Sequence, residues 1–239
     1  MKVINDLLGY KNLKIIQDTE MFSFSLDSVL LPNFVTLNRN ISKILDIGCG
    51  NAPIPLILST KTTKEIIGVE IQKNVYDMAI ESVKMNKLDE QITIINQDIN
   101  DYYKELESDS FDVITCNPPF FKYLETSNIN KNDYKTIARH EIKLNLNNIF
   151  IIARKLLKNN GIIALVHRPE RLVDIILEMK KNNIEPKKIR FVYPKMNSDA
   201  NILLIEGSKN GKPGIKILPP LYIHLDNGQY TSEVLKYFE

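Results

Sequence analysis

Short apolar runs alternate with amphipathic stretches along most of the chain beyond residue 42. Seven runs are rich in Ile, Val and Leu and have the length of strands: Lys43–Gly48, Glu65–Glu70, Ile92–Asn96, Phe111–Cys116, Gly161–His167, Lys188–Tyr193 and Asn201–Glu206. Three other stretches place their apolar residues at helical spacing: Gln72–Asn86, Leu146–Leu157 and Leu172–Met179. Strands that alternate with helices predict an α/β fold built on a doubly wound, mostly parallel sheet of seven strands.

Two turn signals refine this pattern. Only a short segment around Pro194–Asp199 separates the last two predicted strands. Because that segment is too short for a helical crossover, we expect the last strand pair to be antiparallel. The pair Asn160–Gly161 is a typical helix stop, so it predicts the end of the helix that begins near Leu146.

The pattern divides the chain into three parts. Residues 1–42 precede the first strand and predict a short strand-and-helix cap, and residues 43–207 form the core. Residues 208–239 have little periodicity and predict a C-terminal extension that packs on the core. Residues 120–144 form a long polar connection after the fourth strand. Such connections at the carboxyl edge of a parallel sheet are where substrates are often contacted.

Composition narrows the class of protein. The two cysteines, Cys49 and Cys116, are too few for a disulfide framework, and no cluster of metal ligands is evident. No apolar run is long enough to cross a bilayer, and Met1–Tyr10 lacks the pattern of a secretory signal. These features predict a reduced, cytoplasmic protein with no metal and no membrane partner.

Charge is distributed unevenly along the chain. Residues 1–120 contain 11 Lys and Arg against 17 Asp and Glu, whereas the remaining residues contain 20 against 12. A basic half is typical of nucleic-acid binders, although a lysine-rich composition gives the same count on an ordinary solvated surface. The same two interpretations apply to a possible phosphate track formed by Lys180, Lys181, Lys187, Lys188 and Arg190.

A glycine turn follows the first predicted strand. In the segment Asp46–Ala52 (DIGCGNA), Gly48 and Gly50 allow a tight turn and a close approach to a ligand, and Cys49 lies between them. The helix that begins at Pro53 is expected to offer free N–H groups to an anionic group. A third glycine is missing, since Ala52 occupies its place, and a lone glycine turn is weak evidence.

Acidic residues at the next two strand ends strengthen the interpretation. Glu70 ends the second strand, where a carboxylate can accept hydrogen bonds from both ribose hydroxyls of an adenosyl group. Asp98 follows the third strand and can accept a hydrogen bond from the adenine amine, while Ile71 and Ile99 are placed to pack on the two faces of the base. Together with Asp46 and the turn, these residues predict an adenosyl-cofactor site.

The fourth strand ends in Asn117-Pro118-Pro119-Phe120. An adenine amine is a poor nucleophile because its lone pair is delocalised into the ring. The Asn117 amide oxygen and the Pro118 carbonyl can each accept one of its N–H groups, which frees the lone pair for an electrophilic methyl group. The prolines hold these acceptors in place, and Phe120 can stack on the base. These four residues are the predicted catalytic residues, and Asn117 is also predicted to contact the cofactor.

These motifs resemble those of class I methyltransferases with a Rossmann-like sheet that act on amino groups. More closely, Phe24–Leu31 (FSLDSVLL), Ala138–Glu141 (ARHE) and the tail Pro219–Thr231 resemble the bacterial tRNA1(Val) adenine-37 N6-methyltransferases, over essentially the whole chain. The resemblance implies S-adenosylmethionine as cofactor, S-adenosylhomocysteine as product, a tRNA adenine as target, and a monomer. Candidate contacts to RNA or to the cofactor lid are Asp27, Lys122, Arg139 and His140.

Four other interpretations of the sequence can be compared with this one. Release-factor glutamine methyltransferases share the Asn-Pro-Pro-aromatic motif, but 42 residues before the first strand are too few for their N-terminal domain. Ribosomal guanine-N2 methyltransferases share the mechanism, whereas DNA adenine methyltransferases need a larger target-recognition region, so DNA is not expected as a partner. A non-catalytic RNA-binding module is disfavoured because the glycine turn and Asn-Pro-Pro are intact.

Overall fold

A nine-stranded sheet organises the chain in this computed structural model, which describes residues 2–7, 12–18, 26–118 and 144–238. The strands in these ranges are β1 (Lys2–Asp6), β2 (Lys14–Asp18), β3 (Lys43–Ile47), β4 (Glu65–Val69), β5 (Ile92–Ile95), β6 (Phe111–Cys116), β7 (Leu157–His167), β8 (Ile184–Tyr193), β9 (Ile202–Lys209), β10 (Lys216–Ile217) and β11 (Leu221–Tyr222). The helices are α1 (Asp27–Phe34), α2 (Pro53–Ser59), α3 (Lys73–Met85), α4 (Ile99–Glu105), α5 (Leu146–Leu156), α6 (Leu172–Lys181) and α7 (Ser232–Leu235), with a 3₁₀ turn at Pro169–Arg171.

The order of the strands is β10-β8-β9-β7-β6-β3-β4-β5, and β11 also pairs with β8. Strands β3 to β7 are parallel to one another, and β9 is antiparallel to both β7 and β8. The α/β class, the parallel sheet and the antiparallel last pair are therefore confirmed. The sheet has nine strands rather than the predicted seven because β10 and β11 are two residues each, too short to show an alternating pattern.

Two other boundaries differ from the prediction. Helix α5 ends at Leu156, and Leu157 already pairs with Phe111 of β6, so the stop signal at Asn160–Gly161 does not end the helix. Asn160 instead adopts a left-handed conformation with φ of 63° inside β7, where the register with β6 shifts. Helix α4 was not predicted, because only Ile99 of its seven residues is buried and no apolar stripe marks it.

Helices cover both faces of the sheet and produce two cores. One core joins α1, α2 and α3 to inward residues such as Ile44 of β3. The other joins α4, α5 and α6 to residues such as Leu45, the next residue of the same strand. The alternation along β3 shows why its sequence is apolar at nearly every position: both faces of a central parallel strand are buried.

An antiparallel hairpin of β1 and β2 lies against helix α3. The Ser82 hydroxyl accepts a hydrogen bond from the Ile16 N–H at 3.0 Å. The Asn86 amide accepts from the Lys14 N–H at 2.9 Å and donates to the Lys14 carbonyl at 2.7 Å. The free edge of β2 is thus bound by side chains of a helix rather than by another strand. Among the described helices, none has the length and apolar character needed to cross a membrane.

Candidate active site

Four parallel strands end at one level and bring the predicted site residues together. Ile47 of β3 pairs with Val69 of β4 and with Cys116 of β6, and Val69 pairs with Ile95 of β5. The residues that follow, Gly48, Glu70, Asn96 and Asn117, therefore share the carboxyl edge of the sheet. The strand order reverses between the neighbours β3 and β6. Open α/β sheets bind their ligands at the carboxyl edge beside such a reversal.

The glycine turn has the backbone that its sequence predicts. Gly48 and Gly50 have φ of 68° and 57°, in the left-handed region that a residue with a Cβ rarely adopts. A Cβ placed on Gly50 would meet no atom of the described residues within 4 Å, so that part of the chain leaves space in front of the turn. Ala52 also adopts a left-handed conformation, with φ of 72°, and thus has the conformation that the missing third glycine would favour.

Asp46 is fully buried beneath this turn. Its Oδ1 accepts a hydrogen bond of 2.6 Å from the Thr115 hydroxyl, whereas its Oδ2 has no partner among the described residues. Burial raises the pKa of the Asp46 carboxyl to about 7; the Thr115 hydrogen bond lowers this pKa and the neighbouring Glu70 raises it. An unpaired acidic oxygen at this position is suited to a cationic group of a ligand.

Glu70 is held in place by backbone donors. Its Oε2 accepts from the Gly50 N–H at 3.1 Å and its Oε1 from the Gln72 N–H at 2.8 Å. Burial raises the pKa of Glu70, and these hydrogen bonds lower it. A carboxylate oxygen has a second lone pair, so both oxygens can still accept from a pair of hydroxyls. The Asn96 amide, to which no sequence pattern pointed, donates to the Glu70 and Ile71 carbonyls at 2.8 and 3.2 Å.

Asp98 and Ile99 each have a structural role at the start of α4. Asp98 is the N-cap of α4, and its Oδ1 accepts from the Asn100 backbone N–H at 3.0 Å. Ile99 is buried in the core under the sheet, while Ile71 is half-buried at the end of β4. Their predicted contacts with an adenine base remain a proposal, since the helix cap and the core contact already explain these residue types.

Helix α2 offers few backbone donors at its N-terminus. Pro53 and Pro55 both lie in its first turn, and neither has a backbone N–H. The Leu56 N–H is bonded to the Ala52 carbonyl at 3.1 Å. Among the first three residues of α2 only Ile54 therefore carries an N–H, and the anion site expected at this helix terminus stays a prediction with few backbone donors.

Asn51 connects the glycine turn to the N-terminal hairpin. Its side-chain amide is buried and donates a hydrogen bond of 2.7 Å to the Ile16 carbonyl of β2. Because Ile16 lies 35 residues away along the chain, no local signal pointed to this contact. The hairpin is thus attached to the turn, and its next residue, Gln17, lies near the site.

Asn117 directly follows β6 and is oriented by helix α1. Its amide nitrogen donates a long hydrogen bond of 3.4 Å to the buried Ser28 hydroxyl. This leaves the Asn117 amide oxygen as the acceptor that faces other partners. The sequence pattern pointed to Asp27, the first residue of α1, but not to Ser28 beside it. Pro118 is buried next to Asn117.

The two cysteines are buried packing residues. Cys49 and Cys116 are buried, and burial raises the pKa of both thiols well above their usual value. A Cβ on Gly68 would lie 2.8 Å from the Cys49 sulfur, so this thiol fills the space that the glycine leaves. Neither cysteine has the depressed pKa of a nucleophile.

Several predicted residues lie outside the described ranges, namely Pro119, Phe120, Lys122, Arg139 and His140, as does the rest of the 120–143 connection.

The contacts of the five basic residues do not support a phosphate track. Lys188 pairs with Glu206 and Arg190 with Glu233, and both cations are largely buried. Lys180 and Lys181 pair with acids, and Lys187 donates to the Lys212 carbonyl. Lys180, Lys181, Lys187 and Lys188 lie before or in the first half of β8, at the end of the strand opposite to the site.

Together these features fit an adenosyl cofactor that ends in an amino acid. The turn leaves open space, Glu70 offers two acceptors, and Asp46 offers an unpaired acidic oxygen.

Comparison with known proteins agrees with this fit. Residues 12–188 match the family described as the methyltransferase small domain.

Relatives along the whole chain include proteins named tRNA1(Val) (adenine(37)-N6)-methyltransferase. One from Flavobacterium johnsoniae is 28% identical over 96% of both chains. One from Trichodesmium erythraeum is 30% identical over 95% of this chain and 93% of its own.

Solved structures confirm the fold at lower identity. A predicted O-methyltransferase from Agrobacterium tumefaciens has a TM-score of 0.71 at 18% identity and covers 89% of this chain and 95% of its own. TYW2 of P. horikoshii, solved in complex with MeSAdo, has a TM-score of 0.61 at 12% identity, over 88% of this chain and 72% of its own. The family match, the fold and the site agree, and the chain belongs to the methyltransferase small domain family.

Proposed function

We propose that this protein transfers a methyl group from S-adenosylmethionine to N6 of an adenine in tRNA, at position 37 beside the anticodon. The observation that carries the proposal is the position of Asn117 and Pro118, at the end of β6 and level with the glycine turn. Relatives that match the chain over nearly its full length are named for this reaction. We further expect the protein to act as a monomer, in the cytoplasm, on RNA rather than DNA.

The cofactor supplies an electrophilic methyl group on a sulfonium. The residues of the chain prepare the acceptor nitrogen. Asn117 presents its amide oxygen because its amide nitrogen is bonded to Ser28, and the Pro118 carbonyl offers a second acceptor. Two acceptors for the two N–H groups of the adenine amine draw its lone pair out of the ring. No strong base is required, since the alkylated amine is acidic and loses its proton readily.

We infer supporting roles for other residues. Thr115 and Asp46 fix the floor of the site, and Glu70 holds the turn through Gly50. Pro119 and Phe120 are proposed to continue the catalytic motif by stiffening the backbone and stacking on the base. Lys122, Arg139 and His140 are proposed RNA contacts, and Asp27 a contact at the cofactor lid.

The direct test is transfer of labelled methyl groups from S-adenosylmethionine to unmodified tRNA, followed by nucleoside analysis. We expect N6-methyladenosine in one tRNA and no label when adenine 37 is replaced by guanine. Label in guanosine, or in a protein glutamine, would overturn the target while leaving the cofactor site intact.

Replacing Asn117 by Ala tests the chemical role. Loss of one preorganised acceptor is expected to reduce kcat by about two to three orders of magnitude, with little change in cofactor affinity. Ser28→Ala removes only the orientation of Asn117, so a smaller loss of kcat is expected, with KM for tRNA unchanged. Near-normal turnover of Asn117→Ala would exclude the proposed mechanism.

A further inference from the structure

Two buried side-chain atoms lack a hydrogen-bond partner within the described ranges: Gln17 Nε2 and Asp46 Oδ2. A buried polar group that is left unpaired destabilises a protein by about 1–3 kcal/mol, and native structures contain few of them. One of these atoms is a neutral donor and the other an acidic acceptor. A ligand that satisfies both must therefore offer an acceptor and a donor of its own.

Both atoms belong to residues beside the glycine turn. Asp46 lies on β3, two residues before Gly48. Gln17 lies on β2, directly after Ile16, whose carbonyl is bonded to Asn51 of the turn at 2.7 Å. The sheet thus contributes the acceptor and the hairpin contributes the donor.

The orientation of the Gln17 amide is set by its neighbour. Asn5 of β1 donates from its amide nitrogen to Gln17 Oε1 at 2.7 Å. The Gln17 NH₂ group therefore occupies the other position of the amide and is a donor. The residue is only 6% exposed, so water does not replace the missing partner freely.

The amino-acid end of the cofactor has the two groups that these atoms require. It carries a carboxylate, which needs donors, and an ammonium, which needs acceptors. The first turn of α2 supplies little to the carboxylate because Pro53 and Pro55 have no N–H. Only Ile54 of the first three helix residues carries an N–H, so a buried donor on another element can complete the contacts to the carboxylate.

We propose that Gln17 of the N-terminal hairpin binds the carboxylate of the methionine moiety through Nε2, opposite Asp46, which binds the ammonium. The hairpin is then part of the cofactor site rather than only a cap on α3. This inference rests on the cofactor of the proposed function and not on its RNA substrate.

The test compares two ligands that differ in one group. S-adenosylmethionine and its decarboxylated analogue share the adenosine, the sulfonium and the ammonium. With Gln17→Met, which keeps the size and removes the donor, calorimetry is expected to show binding of S-adenosylmethionine weakened about tenfold to a hundredfold. Binding of the decarboxylated analogue is expected to stay within about twofold of the original protein.

Thermal unfolding without ligand supplies a second readout. Gln17→Met removes a buried unpaired donor, and Asn5 is exposed enough for water to replace its partner. We therefore expect Tm without ligand to stay the same or rise while cofactor affinity falls. A residue needed only for folding would lower both.

Two control variants separate the roles. Asp46→Asn weakens both ligands, because both contain the ammonium. Asn86→Ala removes the hydrogen bonds that hold Lys14 of β2 and makes no proposed cofactor contact, so it lowers Tm and changes both affinities by the same factor.

Equal weakening of both ligands by Gln17→Met would overturn the inference, and so would unchanged binding of S-adenosylmethionine. If the original protein bound neither ligand, the cofactor assignment and this inference would both be wrong. If it bound the cofactor but methylated no tRNA adenine, only the proposed substrate would be wrong.

Discussion

Single residues in the glycine turn have separable effects on stability and on binding. Gly50 has φ of 57°, and the described part of the chain places no atom within 4 Å of where a Cβ would be. Gly50→Ala is expected to destabilise the protein by about 1 kcal/mol through backbone strain alone. The new methyl group also enters the space proposed for the cofactor, so we expect affinity for S-adenosylmethionine to fall by more than about tenfold.

Gly228 provides a matched control in the C-terminal extension. It has φ of 82° and equally open surroundings. Gly228→Ala should show a similar loss in urea unfolding with unchanged calorimetric affinity. Equal affinities for the two variants would mean that the space before Gly50 is not the cofactor site.

Asp46 predicts a particular dependence of stability on pH. In the folded protein without ligand the carboxyl keeps its proton up to about pH 7, whereas its ordinary pKa is 3.8. Between these values the unfolded chain binds fewer protons than the folded chain, so the free energy of unfolding falls as pH rises. Asp46→Asn removes this contribution.

The measurement is urea unfolding of both proteins at pH 4.5 and pH 7.5. From pH 4.5 to pH 7.5 the free energy of unfolding of the Asn variant should rise by a few kcal/mol relative to that of the original protein. A difference that stays constant with pH would show that Asp46 does not titrate in this window.

Part of the site is readable from residue types, and part is not. Gly48, Glu70 and Asn117 follow apolar strands, and parallel strands end together, so their proximity follows from the pattern. Ser28, Asn51 and Gln17 had no such signal, because their roles come from contacts between distant segments. The Ser28–Asn117 hydrogen bond joins residues 89 apart along the chain.

At the scale of elements, one buried ion pair joins α1 to the antiparallel end of the sheet. Lys188 of β8 lies 2.9 Å from Glu206 of β9, and their side chains are 16% and 6% exposed. Glu206 also accepts from the Thr36 N–H just after α1, and Lys188 donates to the Phe34 carbonyl. Because the cost of desolvating both charges offsets most of their attraction, the pair connects the elements but adds little net stability.

Removing one member of this pair is therefore expected to cost more than removing both. Glu206→Leu leaves the charge of Lys188 buried without a counter-ion and should lower the free energy of unfolding by about 3 kcal/mol. Adding Lys188→Met should restore at least about 1 kcal/mol. Additive losses in this double-mutant cycle would argue against coupling. Lys2→Met, in a pair with Glu81 whose two side chains are about half exposed, should change stability by less than about 1 kcal/mol.

Elements differ in how far their sequence determined them. The strands of the parallel core were predictable because burial on both faces requires an apolar run. Helix α4 and strands β10 and β11 were missed, since each is short and is held by its neighbours rather than by its own pattern. The Asn160–Gly161 signal was real but marked an irregular point within β7.

At the scale of the whole molecule, the C-terminal extension completes both the sheet and a core. Leu221, Ile223 and Val234 are at most 3% exposed and join the core beneath α1 and α2. Burial of three such side chains contributes about 4–9 kcal/mol, comparable with the net stability of a domain.

We therefore expect removal of residues 212–239 to yield protein that aggregates, as measured by light scattering and by loss of a cooperative thermal transition. Leu225→Ser, at a position 49% exposed in the same segment, should leave both measurements unchanged. A truncated protein with normal Tm and solubility would show that the core does not depend on the extension.

The pairing of β11 with β8 also has a consequence for biosynthesis. Strand β8 is translated before the segment that covers its outer edge, so a ribosome-bound chain exposes a bare strand until about thirty further residues have emerged. Chaperones that bind nascent chains have their clearest target during this interval. A slow codon just after β9 would prolong it, and a mutation there with no effect on the purified protein would still reduce its yield in the cell.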